Sequence, residues 1–285
     1  MASRTPDPSG HPALIQPHGF LLGVTPDWRV SRVSANIGDF LAIKGPSPLG
    51  QLLADVLGDE AVHTLRNCLS LLRDVDGSAR VFALHASGTI RPIDVHMHMV
   101  GSDIMIEAQP ATGHEGGDQI GLVRALAARL DGLDRIDNLL GEGARQLRAL
   151  SGFANISLYR WTDAGAKLAA HSARGDLAPA PAPTRGALRQ IVDAGAPGVA
   201  IEQDGHSRPL DRGLLLATGP DDRAAMGNSP SLVRLPLDGG GTNWGVAVCL
   251  NASPRHLGLE RLAAAELFSD LLALRIALLE ARGRI

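Results

Sequence analysis

Ile15-Gln16-Pro17-His18-Gly19-Phe20-Leu21-Leu22-Gly23 decides how the first half of the chain is read. Pro17 fixes its own φ and has no N–H to donate, and Gly19 tolerates positive φ, so the middle of this stretch predicts a turn. Phe20, Leu21, Leu22 and Val24 then form the apolar run of a strand. Upstream, residues 1–13 are polar, carry Pro and Gly, and read as a flexible arm. Downstream come a turn (Thr25-Pro26-Asp27) and a strand over Trp28–Ser34. Two helical segments are expected between Pro48 and Leu72: Leu49, Leu52, Leu53, Val56 and Leu57 keep one face, and Val62, Leu65, Leu69 and Leu72 another. Strands are predicted at Ala79–Ala86, Arg91–Val100 and Asp103–Ala108, the last two flanking a hairpin turn at Gly101-Ser102.

The 285 residues suit two domains of about 100–150 residues each. Apolar residues make up 45% and charged ones 20%, the balance of a soluble globular protein. Aromatics are only 3%, so Ala, Leu and Val must fill the cores. A formal charge of −3 gives no field that would attract nucleic acid or an anionic membrane. Cys68 and Cys249 are far apart and form no CxxC, which points to a reducing compartment and buried, inert thiols. No apolar run approaches the ~20 residues of a membrane span, and Met1 to Pro12 has no export h-region. A cytoplasmic location is expected.

Residues 111–117 read as a linker. Asp118 is a plausible N-cap for a long helix to about Leu150, carried by Leu122, Leu126, Leu130, Leu133, Leu140, Ala144 and Leu147. Gly132, Gly141 and Gly143 weaken it, with a break expected near 141. Gly152 to Trp161 predicts a turn and a strand, and Lys167–His171 another. The Ala178-Pro179-Ala180-Pro181-Ala182-Pro183 tract must be extended without ladder donors at its prolines. A helix is expected over Thr184–Asp193. Ser231–Leu237 and Asn243–Leu250 read as paired strands around Asp238-Gly239-Gly240-Gly241. The last helix runs from Leu259 to Arg282, with Leu267, Leu271, Leu274 and Leu278 alternating four and three residues apart.

Three of these stretches resemble the bacterial phytochromes, the bilin-binding red-light receptors. Ile-Gln-Pro-His-Gly-x-Leu-Leu at 15–22 resembles the opening of their first domain. Gly152-Phe153 with Tyr159 is similar to the family's Gly-Phe-Asp-x-x-x-x-Tyr-x-Phe, and Trp244-Gly245-Val246-Ala247-Val248-Cys249 followed by Ser253-Pro254 to its Leu-Trp-Gly-Leu-Ile-Ala-Cys strand. The resemblance implies an α+β fold of two domains, each an antiparallel sheet with flanking helices. These would be a PAS-like domain over 14–110, a GAF-like domain over 118–258, and a C-terminal signalling and dimer helix over 259–285. It also implies a homodimer, a leucine seam being suited to pairing with its copy, and a signalling partner or histidine kinase module.

A phytochrome must also hold its pigment. The bacterial thiol would fall near Arg4 and Thr5, and the alternative one near Thr218–Pro220; neither place has a Cys. The carboxylate tract Pro-x-Ser-Asp-Ile-Pro reads Pro181-Ala182-Pro183-Thr184-Arg185-Gly186-Ala187 here, without its Asp. Arg185 has the wrong sign beside a protonated bilin. Alignment on Met226-Gly227 puts Gly219 at one pocket histidine and Ala224 at the clamping arginine, with Arg223 one residue away. Alignment on Trp244-Gly245 puts Leu250 or Asn251 at the other histidine. Tyr159, His171, Arg223 and Ser231 are what remains of a pocket. No cofactor is therefore expected. The leading expectation is a sensory or regulatory module that has lost covalent bilin attachment and bilin binding. The alternatives are a receptor holding biliverdin noncovalently and a protein-interaction module without a small ligand.

His96-x-His98 places two imidazoles on one strand face, but with no third ligand type anchored nearby no metal site is expected. No nucleophile–base constellation has usable spacing, so no enzyme activity is expected of this chain.

Overall fold

The computed structural model describes residues 13–43, 45, 47–72, 77–89, 91–112, 117–203, 209–210, 212–239 and 241–282. The arm up to residue 12, positions 4 and 5, and residues 113–116 of the linker lie outside these. The chain is α+β and separates into two units. One combines residues 1–113 with 196–217; the other combines 114–195 with 218–285.

The first unit holds a seven-stranded sheet in the order β1-β10-β3-β2-β6-β5-β4. Its strands are β1 (Leu14–Ile15), β2 (Phe20–Val24), β3 (Val30–Ser34), β4 (Ser78–Leu84), β5 (Ile93–Val100), β6 (Asp103–Pro110) and β10 (Val199–Gln203). Trp28 adopts φ 63°, which keeps it out of the strand expected from residue 28. Helices α1 (Leu53–Leu57) and α2 (Asp59–Leu69) cover the sheet, and Leu53, Leu57, Val62 and Leu65 join Phe20, Val95 and Ile106 in one core. Gly19 proves necessary for close approach rather than for positive φ: a Cβ there would lie 2.5 Å from the Ala108 carbonyl oxygen and 2.9 Å from Leu215.

Residues 196–217 lie in sequence inside the stretch assigned to the second domain, yet they complete the first. β10 pairs with β1 (Ile15 opposite Val199) and with β3 (Ile201 opposite Ser34). Ile15, Leu21, Ile201 and Leu215 bury one another. Gln16 N donates to Leu215 O at 2.6 Å, and the Gln16 side-chain amide donates to Leu214 O at 3.2 Å. The Ile15-Gln16 pair thus anchors a strap whose sequence lies some 200 residues away.

The second unit has a five-stranded antiparallel sheet, β8-β7-β12-β11-β9. Its strands are β7 (Asn155–Thr162), β8 (Gly165–Ala173), β9 (Arg189–Ile191), β11 (Ser231–Gly239) and β12 (Thr242–Asn251). The long helix expected from residue 118 is two helices, α3 (Gln119–Ala128) and α4 (Ile136–Ser151). Asp118 caps α3, its Oδ1 accepting from Gly121 N at 2.8 Å. The break falls at Gly132, which takes φ 77°, not near Gly141. Gly141 and Gly143 both lie inside α4, and a Cβ at Gly143 would sit 2.6 Å from Leu272 of helix α6 (Leu259–Arg282). The helix expected over Thr184–Asp193 is instead β9 and the loop before it. Ile191 pairs with Leu232 at the sheet edge, and a main-chain ladder there outweighs weak helix propensity. A short helix, α5 (Pro220–Met226), starts on Pro220, where the missing N–H costs nothing.

Gly245, in the Trp-Gly pair, abuts β7: a Cβ would run into the Tyr159 carbonyl oxygen. Gly245→Ala should force the β7–β12 ladder apart and destabilise the protein by about 1–3 kcal/mol, measured as a lower urea midpoint. An unchanged midpoint would contradict this packing.

Candidate functional site

Alternation along β7 puts Asn155, Ser157 and Tyr159 on one face. Over that face runs the Ala178–Pro183 tract, whose only N–H groups belong to its alanines. Each polar side chain of the row satisfies a group of the tract. Asn155 Nδ2 donates to Ala178 O at 2.7 Å, Ala180 N donates to Ser157 Oγ at 2.9 Å, and Tyr159 Oη donates to Ala180 O. Ala180 and Tyr159, each 4% exposed, pack with Ile191, Met226, Leu232, Val246 and Val248. Burial pushes the Tyr159 phenol above its ordinary pKa.

His171 on β8 stands opposite Ser157, and its Nε2 donates to Asn155 Oδ1 at 2.9 Å. Burial lowers its pKa, favouring the neutral ring. Tyr159 and His171 therefore belong to one constellation, joined through Asn155 and Ser157, which the sequence did not single out. The other two expected residues fall elsewhere. Ser231 is fully buried, its Oγ 3.0 Å from Ile191 O and 3.1 Å from Arg255 O, and ties β9 to the turn after β12. Arg223 is exposed on α5.

Arg189 and Asp222 form a buried charged pair, at 3.1 and 3.3 Å. Gly219 donates its N–H to Asp222 at 3.0 Å. Burial opposes ionisation of Asp222, but the Arg189 charge, the Gly219 N–H and Arg234 together hold its carboxyl below the usual value. Arg185 stacks on Trp161, its guanidinium carbon 4.7 Å from the ring centre. Cys249 is fully buried and its thiol is pushed up to about 12, so no thiolate forms near neutral pH. Cys68 is half-buried and its thiol donates to Arg80 O.

The first unit holds a second cluster. Antiparallel register sets His96 of β5 opposite Glu107 of β6, with His98 two residues along the same face. His96 Nδ1 lies 2.9 Å and His98 Nδ1 3.6 Å from Glu107 Oε2. Glu107 also accepts the N–H groups of Leu214 (3.0 Å) and Leu215 (2.7 Å), which fastens the strap to the sheet. Burial works against the charged carboxylate, yet the His96 hydrogen bond, the two imidazoles and the Leu215 N–H hold it at about 2. Burial also lowers the pKa of His98. Glu107 thus sets a carboxylate beside the two imidazoles, the ligand type not anchored there in the sequence reading.

Arg189→Leu leaves Asp222 buried without its hydrogen-bonded cation and should cost about 3–5 kcal/mol at pH 7. Because the folded Asp222 carboxyl titrates below its ordinary 3.8, its contribution is complete above that pH and lost as pH falls beneath it. In Asp222→Asn that part of the acid loss should disappear. Urea midpoints between pH 2.5 and 7 check both, and an acid limb of equal depth in Asp222→Asn would contradict the assignment.

Residues 8–111 match a family model described as PAS fold. A search of curated proteins finds no match. Among solved structures, a bacteriophytochrome from the photosynthetic bacterium R. palustris aligns at TM-score 0.77 and 20% identity over 96% of this chain. The chain spans 62% of that structure's length. The chromophore-binding domain of an unusual bacteriophytochrome from R. palustris aligns at TM-score 0.78 and 23% identity, covering 97% of this chain and 98% of its own. That of a Stigmatella aurantiaca bacteriophytochrome, a point mutant in the Pr state, gives 0.79 and 20%, covering 95% and 98%. No helix among the described residues is long and apolar enough to cross a membrane. The chain thus carries a PAS fold at its N-terminal end and, as a whole, the two-domain fold of the bacteriophytochrome chromophore-binding domains.

Proposed function

We propose that this chain is a phytochrome-like PAS–GAF sensory or regulatory module that no longer binds a bilin and couples another input to its C-terminal helix. The observation that carries this reading is the filling of the β7 face by the chain's own Ala178–Pro183 tract. A tetrapyrrole on that face would have to break three hydrogen bonds and displace Ala180 and Met226 from the apolar cluster around Tyr159. The groups that would reward it are missing: no Cys precedes Cys68, no Asp stands in 181–187, and Arg223 is exposed. Cys249 is too deeply buried and too weakly acidic to form a thioether.

Output by way of a homodimer is favoured by α6. Its buried side is Leu262, Ala265, Phe268, Leu272 and Ile276. The seam of Leu267, Leu274 and Leu278 is 43–52% exposed, with Leu271 half-buried beside it. The seam is therefore a different stripe from the one that packs within the chain, and a partner protein or kinase module would read the helix pair.

Biliverdin titrated into the purified protein should give no new red-shifted band and no photoconversion; a photoconvertible band would overturn the reading in favour of noncovalent photoreception. Sedimentation should give twice the chain mass. Leu274→Glu with Leu278→Glu should return the monomer with unchanged circular dichroism. A monomeric parent protein would remove the dimer from the account.

A further inference from the structure

We propose that His96, His98 and Glu107 form a binding site for one divalent transition-metal ion of the zinc type. The three residues are buried, at 7%, 3% and 3% exposure, and their ligating atoms all lie within 4.8 Å of one another. Both ring nitrogens of His98 are shut off from solvent and neither reaches good hydrogen-bond geometry; Nδ1 faces Glu107 Oε2 at 3.6 Å, and the Arg212 main chain lies beside the ring. A buried imidazole whose Nδ1 lacks a close partner is costly, and here that nitrogen stands beside a carboxylate.

The geometry suits an ion. At Zn–N and Zn–O distances of about 2.0–2.2 Å, tetrahedral ligands sit roughly 3.4 Å apart. The His98 Nδ1 to Glu107 Oε2 separation is 3.6 Å, and the His96 separation of 2.9 Å needs only a small ring rotation to reach that spacing. Two imidazoles and one carboxylate form an N/N/O set that suits zinc and its neighbours; magnesium and calcium favour all-oxygen shells. The main-chain N–H groups of Leu214 and Leu215 orient the carboxylate as supporting donors. On binding, the ion takes the place of the N–H that His96 Nδ1 donates to Glu107 Oε2; the imidazole stays neutral, its proton moving to Nε2 so that the Nδ1 lone pair is free for the ion. The Arg212 guanidinium, the cation whose charge reaches His98, is turned to the Met99 carbonyl oxygen at 2.5 Å. Since Glu107 holds both β6 and the strap, the ion would fix residues 214–215 to the PAS-fold sheet.

The full chain, stripped with EDTA, is titrated with zinc chloride by calorimetry and thermal melting. One ion should bind per chain, and at a hundredfold excess over Kd the Tm should rise by roughly 5–10 °C. His98→Leu should abolish both effects while keeping the parent circular dichroism, and magnesium should give neither. Cobalt(II) added to the unaltered protein should show the intense visible bands of a four- or five-coordinate site, a readout that needs no variant. No saturable one-to-one binding, zinc binding that survives His98→Leu, or the pale spectrum of hydrated cobalt would each overturn the proposal.

Discussion

A proline offers no N–H, so a segment alternating Ala and Pro cannot enter a sheet ladder, and its carbonyls still need donors once buried. The second domain resolves that conflict with side chains. Asn155, Ser157 and Tyr159, spaced two apart on β7, supply or accept one hydrogen bond each along Ala178–Ala180. The face so covered has Met226 and Ile191 packed in beside Tyr159. On the proposed function, a bound tetrapyrrole and this arrangement would compete for one surface.

The first domain depends on a similar device. Glu107 accepts the Leu214 and Leu215 N–H groups where the strap crosses β6, and Gln16 bonds to the strap's carbonyls. The Gln-Pro-His-Gly turn is thus a docking point for residues 196–217, and Gly19 is small because Ala108 and Leu215 crowd it. A buried ionised carboxylate is tolerated because two imidazoles and two main-chain donors surround it.

Much of this was legible beforehand. Apolar runs and the Gly101-Ser102 turn located β2, β5 and β6, and the leucine spacing located α6. Counting back from that hairpin also sets His96 opposite Glu107, so the signal for this juxtaposition lies in the sequence. What could not be read was whatever depends on distant partners. The strap's membership of the first unit, β9 in place of a helix, and the burial of Arg189 with Asp222 all arise from contacts with no local pattern. The break in the long helix fell at Gly132 because the two glycines nearer its end lie inside α4, one of them under Leu272. Tyr159 and His171 were found by resemblance, but the residues that link them, Asn155 and Ser157, are ordinary strand polars with no sequence signature.

The account rests on Ala180 being locked against β7. Amide exchange at Ala180, followed by NMR with and without excess biliverdin, tests this most directly, because that N–H has Ser157 Oγ as its acceptor. Protection comparable to the β7 amides and unaltered by biliverdin is the predicted result. Exchange at the rate of an open loop, or protection altered by the pigment, would contradict it.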